Sequence, residues 1–237
     1  MSEKFLKIQN ITFGYQKPII KIKEFDVTRN EIVSIVGKSG IGKSTIFKTI
    51  SGLINPIDGQ IFFEDIERPD DWRRQNVKLI LQNFPLFHWH TIGNSLRLAA
   101  KIMGINLEEK ELHKILEDLS ATHLINKYPR DLSGGERCRA SLAHAAISSP
   151  HLLLLDEPFS GLDVVMKDSI AKAIFSFAEK NKIPVIYIAH DLYDACAYAD
   201  RVVIIAGDNV ASIKDIIKVD NIEKAIREVH NQLKKYA

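Results

Sequence analysis

Cysteine is scarce in this chain: Cys138 and Cys196 are its two cysteines among 237 residues. That is too few for a disulfide framework, and the simplest setting is a reducing cytosol. Missing as well is any run of the roughly 18 to 20 apolar residues that crossing a bilayer requires. Service to a membrane would therefore pass through a partner. Charge of one sign is also lacking. The 32 Lys and Arg against 30 Asp and Glu leave a formal net charge of +2, too even to make nucleic acid the main partner. Met1-Ser2-Glu3-Lys4 is polar and leads into a strand-like pattern rather than into the apolar core of a secretory signal. No repeat, low-complexity tract or linker is visible. What the chain does have is 46% hydrophobic residues, enough to bury a sizeable core in one large domain or two small ones.

Hydrophobic periodicity organises that core. Ile11, Phe13 and Tyr15 alternate with polar or small residues, the period of a half-buried strand, while Asn10 interrupts the alternation of Leu6 and Ile8 and predicts a bulge. Residues 19–27 read as a second strand after the Lys17-Pro18 break. Residues 32–36 are a compact β-branched run ending in glycine, the pattern of a buried parallel strand. Residues 44–52 read as helix, 56–59 as turn, 60–63 and 77–81 as strands. From Thr91 to about Lys127 apolar residues fall at helical spacing, and another helix runs from beyond Leu132 to Ile147. Strand and helix then alternate: 151–155, 169–179, 185–189, 194–198 and 202–205. Ile222, Ala225, Ile226, Val229 and Leu233 form one stripe of a C-terminal helix over about 221–235. The alternation predicts an α/β fold with a parallel sheet, an N-terminal antiparallel β region and an inserted α-helical subdomain at about 83–150, all within one domain, 1–237.

Two segments carry chemistry on their own. Gly37-Lys38-Ser39-Gly40-Ile41-Gly42-Lys43-Ser44-Thr45 follows the strand at 32–36 directly and fits the phosphate loop G-x-x-x-x-G-K-[ST] in its strand–loop–helix context. Glycines let backbone N–H groups turn inward around phosphates, and the new helix presents its positive end. Lys43 adds a point charge and the Ser44 hydroxyl suits Mg²⁺. A plain glycine turn with a solvated lysine would need two glycines, a lysine and a hydroxyl to coincide. The second segment is Leu152-Leu153-Leu154-Leu155-Asp156-Glu157-Pro158, a buried strand ending in two carboxylates, where open α/β sheets place ligands. Asp156 would hold Mg²⁺, and Glu157 would polarise the attacking water. Alone, such a pair is often just a solvated strand exit; beside a phosphate loop that reading fades.

A third segment, Leu132-Ser133-Gly134-Gly135-Glu136, resembles the signature sequence of ATP-binding cassette (ABC) ATPases. Tyr15, Gln82, Ser160-Gly161-Leu162-Asp163 and His190-Asp191 fall in the order of that family, so the resemblance runs from about residue 5 to residue 206. It implies a P-loop NTPase core. It also implies that Tyr15 stacks on adenine, that Gln82 senses Mg²⁺ and the lytic water, and that His190 reaches the γ-phosphate. Two cassettes, identical or paired, would then face head to tail. Ser133, Gly134 and Gly135 of one would close on the ATP held by the other, with Asp163 aligning the joint site. The implied partners are transmembrane permease subunits and an extracytoplasmic solute-binding protein, with this chain peripheral at the cytoplasmic face of the membrane. A soluble member acting in translation or DNA maintenance is the alternative; such proteins usually carry a second cassette or a long coiled-coil insert, and neither is present here.

Three residues depart from the family pattern. Glu136 and Cys138 stand where glutamine is common, and His144 where arginine is common. A lone helical cysteine reads as a packing residue. His88-Trp89-His90 has no companion cysteine or carboxylate and reads as surface, not as a metal site. Residues 86–92 are similar to a segment of nitrate-, sulfonate- and taurine-type importers, with His88 in place of a proline. That makes Trp89, together with Phe84 and Phe87, a candidate contact to a permease. Lys234-Lys235 reads as a solvated helix end.

Overall fold

The computed structural model describes residues 4–81 and 86–236. Strands β1 (Lys4–Gly14) and β2 (Pro18–Thr28) pair antiparallel. The bulge expected at Asn10 is present: against a later strand, β4 (Asp58–Phe63), the four residues Gln9 to Thr12 oppose the three from Gln60 to Asp58, and Asn10 takes a left-handed φ of 47°. Strand β3 (Ile32–Val36) leads into helix α1 (Lys43–Ile50), then β4 (Asp58–Phe63), the short β5 (Ile66–Glu67), α2 (Asp70–Asn76) and β6 (Val77–Ile80). Helices α3 (Ile92–Ile102), α4 (Glu109–Asp118) and α5 (Gly134–Ala146) follow in succession before β7 (Leu152–Asp156). The long helical stretch breaks after α3 at Gly104, which is left-handed, and α4 restarts on a capping box between Glu108 and Glu111. The chain ends with α6 (Val164–Lys180), β8 (Val185–Ile188), α7 (Leu192–Ala197), β9 (Arg201–Ala206), β10 (Ser212–Lys218) and α8 (Ile222–Lys235).

Two sheets result, one of order β2-β1-β4-β5 and antiparallel, the other of order β10-β9-β3-β8-β7-β6 and parallel except for β10. The apolar strands of the second sheet are buried on both faces. Leu152 and Leu154 pack with α1 and the antiparallel sheet, whereas Leu153 and Leu155 pack with α3 to α8. Val33 and Ile35 likewise face the first cluster and Val36 the second. A strand covered on both sides has no place for a polar alternation, which explains the unbroken runs. Ala211 joins the sheets by pairing with β2, its N–H donating to Ile19 O at 2.9 Å.

Candidate functional site

The strand order β3-β8-β7 places three adjacent C-terminal strand ends side by side. Ile35 and Asp156 both pair with Ile188, so Gly37, Glu157 and His190 leave the sheet at neighbouring positions. Glycine is required at the loop's exit: Gly42 begins α1 at φ 107°, and a Cβ there would come within 2.5 Å of Ile19 Cγ2. No side chain caps α1. Its first amides are therefore available to a ligand, and the helix dipole favours an anion there.

Lys43 is 9% exposed, and its Nζ donates to the carbonyls of Gly37 at 2.8 Å and Lys38 at 3.0 Å. Burial lowers its pKa, an effect opposed by the charges of Glu157 and Asp156. Among the described residues no carboxylate lies within ion-pair distance of it, so a desolvated cation and uncapped amides share one loop. That arrangement fits a polyphosphate. Ser44 and Asp156, both half-buried, offer oxygen donors of the kind Mg²⁺ takes. Among the described residues no group of three His, Cys, Asp or Glu could hold a metal unaided. One carboxylate, one hydroxyl and phosphate oxygens are the usual composition of a nucleotide-bound Mg²⁺ site.

Glu157 adopts φ 53°, a left-handed conformation unusual for a residue with a side chain. His190 is exposed, and Asp191 behind it caps α7 by accepting from Asp194 N at 2.7 Å. Glu157, Ser160, Gly161 and His190 line one cavity of about 220 Å³. Tyr15 is exposed, with its hydroxyl 3.5 Å from Lys48 Nζ on α1. Gln82 lies outside the described residues, as does Phe84.

The remaining expected residues gather elsewhere. Ser133, Gly135 and Asp163 line a separate cleft of about 390 Å³ between α5 and α6. Ser133 caps α5, its Oγ accepting from Glu136 N at 3.3 Å, and Asp163 caps α6, its Oδ1 accepting from Met166 N at 2.9 Å. A hydroxyl that accepts one bond retains a donor, so Ser133 can still donate to a phosphate. A Cβ on Gly135 would meet Ile170 Cδ1 at 2.7 Å, which is why the two helices can approach so closely there.

The structure adds a contact that the sequence did not suggest. Lys167 on α6 donates to Asp191 Oδ2 at 3.0 Å and to Asp194 Oδ2 at 2.6 Å, and Asp194 is 5% exposed, with burial pushing its pKa up to about 6. This bridge ties the start of α6 to the turn carrying His190. No local spacing predicts it, because its partners lie on different elements.

The departures resolve differently. Cys138 is buried, and burial pushes its thiol up to about 12, so it packs rather than reacts. His144 Nε2 lies 2.6 Å from Ser95 Oγ, and burial pushes the imidazole down to about 4. Between its ordinary 6.5 and that lower value the unfolded chain takes up a proton that the folded chain refuses. Stability tied to His144 is thus present above that window and lost on acidification through it. The fall in Tm from about pH 7 to about pH 5 is expected to shrink by a few degrees in His144→Gln, which keeps a partner for Ser95. Equal falls in both chains would show that His144 does not oppose folding in acid.

A phosphate loop, an acidic strand exit and a second, serine-capped helix that opens on two glycines, all on one α/β scaffold, define a nucleotide-hydrolysing P-loop protein of cassette type. The family model described as ABC transporter matches residues 20–160. The uncharacterized ABC transporter ATP-binding protein YtlC of Bacillus subtilis is 32% identical over 205 residues, 84% of this chain and 78% of its own length. The molybdate/tungstate import ATP-binding protein WtpC of Pyrococcus horikoshii is 32% identical over 89% of this chain and 62% of its own length. The bicarbonate transport ATP-binding protein CmpC of Synechococcus elongatus is 30% identical over 91% of this chain, which spans only 34% of that relative. Among solved structures, cbiO1 of Clostridium perfringens, part of the ABC transporter complex cbiONQ, superposes with a TM-score of 0.81 at 23% identity over 98% of this chain and 97% of its own. A dimeric cassette, MJ0796 bound to ADP and Pi, superposes at 0.74 with 25% identity over 91% of this chain and 99% of its own. The chain belongs to the ABC transporter family. It is an ATP-binding and ATP-hydrolysing cassette, and no helix among its described residues is long and apolar enough to cross a membrane.

Proposed function

We propose that this chain is one cassette domain that binds MgATP on the loop after β3 and pairs with a second cassette around the nucleotide. In this reading it drives a separate permease that imports a solute delivered by an extracytoplasmic binding protein. It works peripherally, at the cytoplasmic face. The observation that carries the reading is the adjacency of the Lys43 loop, Glu157 and His190 at the ends of β3, β7 and β8.

The roles follow from charge. Phosphoryl transfer needs the γ-phosphate charge held and a water placed in line. Lys43, kept protonated by the arriving phosphates, and backbone amides of the Gly37–Thr45 loop hold that charge, Ile41 N and Thr45 N excepted because they donate to Lys38 O and Gly42 O. Tyr15 lends the adenine a flat apolar face. Ser44 and Asp156, with Gln82, would hold Mg²⁺, which when bound would supply positive charge to offset that of the phosphates. Glu157 positions the attacking water and takes its proton on the carboxylate, while His190 and Gln82 orient that water. Ser133 and Gly135, with Gly134 between them, line a different cleft from the one lined by Glu157 and His190. This separation supports their acting on the nucleotide of the other cassette, with Asp163 at the seam.

The permease contact rests on Trp89. It is 70% exposed, its ring 6.1 Å from that of Phe87, and Phe87 in turn meets His144 edge-on at 6.2 Å. An exposed tryptophan packed on the half-buried Phe87, itself rooted on α5, is the kind of surface that serves as an interaction site. Trp89→Ala is expected to reduce co-purification with the permease severalfold while the Tm stays within about 2 °C of the parent, because little of the ring is buried in the isolated chain. A large drop in Tm would place the tryptophan in the fold. Unchanged permease association would remove it from the interface.

A further inference from the structure

One negative charge sits where the shared site needs none. Glu136 is the third residue of α5, in the first turn behind Ser133, Gly134 and Gly135. That turn's amides attract phosphate, whereas a carboxylate among them repels it. The carboxylate is not needed for the fold of the turn. Its Oε2 accepts from Ser133 N at 2.9 Å to close the capping box, and a glutamine carbonyl closes the same box without charge. Glu136 is nonetheless ionised: the Lys127 ammonium first, and then the Ser133 amide, pull its pKa down to about 2. Its other oxygen, Oε1, is taken by two donors from the segment between α4 and α5, Lys127 Nζ at 2.8 Å and His123 Nε2 at 3.2 Å. His123 and Glu136 line the same cleft as Ser133 and Asp163.

We propose that Lys127, seconded by His123, is a charge-compensating residue of the shared nucleotide site, neutralising Glu136 so that the start of α5 can close on the triphosphate held by the second cassette. The inference rests on the shared-site reading above. Lys127 is a positioning residue: it acts through Glu136 and touches neither nucleotide nor water. Glu136 and Lys127 therefore work as one unit, and removing the cation alone is worse than removing both charges.

The test uses the full chain carrying Glu157→Gln, which retains ATP, and follows MgATP-driven dimerisation by sedimentation equilibrium. Adding Lys127→Met is expected to weaken dimerisation by about tenfold in low salt, and by much less near 0.5 M NaCl, where repulsion between exposed charges is screened. Lys127→Arg should retain dimerisation. Combining Lys127→Met with Glu136→Gln should restore it to the level of Glu136→Gln alone. A loss that persists in the Glu136→Gln background, or that ignores salt, would show that Lys127 merely supports its turn and would overturn the proposal. Unchanged dimerisation in Lys127→Met would overturn it too, with the shared site intact. If the parent chain stays monomeric with MgATP, the shared-site reading fails first and takes this inference with it.

Discussion

Lys43→Ala is expected to lower affinity for ATP by at least about a hundredfold, because it removes a cation whose surroundings make it depend on an anion. Lys43 is 9% exposed, and the near partners of its ammonium are two carbonyl oxygens. Carbonyl dipoles offset only part of the cost of withdrawing an ammonium from water, which is the sense of its lowered pKa. Phosphates arriving at the loop supply the missing counter-charge inside a partly desolvated pocket, where Coulomb terms exceed their values in water. Alanine leaves the uncapped amides of α1 in place but no fixed charge opposite the β- and γ-phosphates. Fluorescence titration of a labelled ATP analogue measures the loss directly, and a melt of the free protein separates it from unfolding. Unchanged affinity in a folded variant would remove the phosphate-loop assignment.

Much of this arrangement could be read in the sequence, for reasons that differ from element to element. Residues 32–36 and the four leucines at 152–155 announced strands because both faces of the parallel sheet are buried, so composition alone carries the signal. The Asn10 bulge was visible as a break in period. Strand β10 was not, because Lys214 and Asp215 interrupt its apolar residues where its pairing with β9 shifts register. Helix α2 offered too few apolar positions to show a stripe. The apolar spacing places the start of helix α6 at Ser169, yet the helix begins at Val164 under the Asp163 cap. Its first residues, Val164 and Val165, are 77% and 81% exposed and so break the amphipathic pattern. The loop, the carboxylate pair and the serine-capped helix that opens on Gly134 and Gly135 were legible because each is a contiguous motif. The bridge from Lys167 to Asp191 and Asp194 and the pairing of Lys127 with Glu136 were not, since an ion pair formed by tertiary packing leaves no periodic trace.

The second large effect is expected at Glu157. Glu157→Gln keeps the size and hydrogen-bonding reach of the side chain at a position already held left-handed at φ 53°, so the change removes a base without asking the backbone for a new shape. Hydrolysis should fall by about 10²- to 10⁴-fold, the usual worth of a positioned general base. Binding should survive, because the Lys43 loop and the α1 amides are untouched. Loss of the Glu157 charge removes one of the two influences that raise the Lys43 pKa, but Asp156 remains and bound phosphates take over that role. ATP therefore enters and stays. If the cleft lined by Ser133, Gly135 and Asp163 closes on that nucleotide from a second chain, the variant accumulates as a dimer with MgATP and returns to monomer with ADP, and light scattering reports both states. Hydrolysis at the parent rate would mean that Glu157 is not the base. A variant that binds ATP, fails to turn it over and stays monomeric would leave the base assigned but would separate the two clefts, sending the Ser133–Gly135 turn back to a purely structural role at the start of α5.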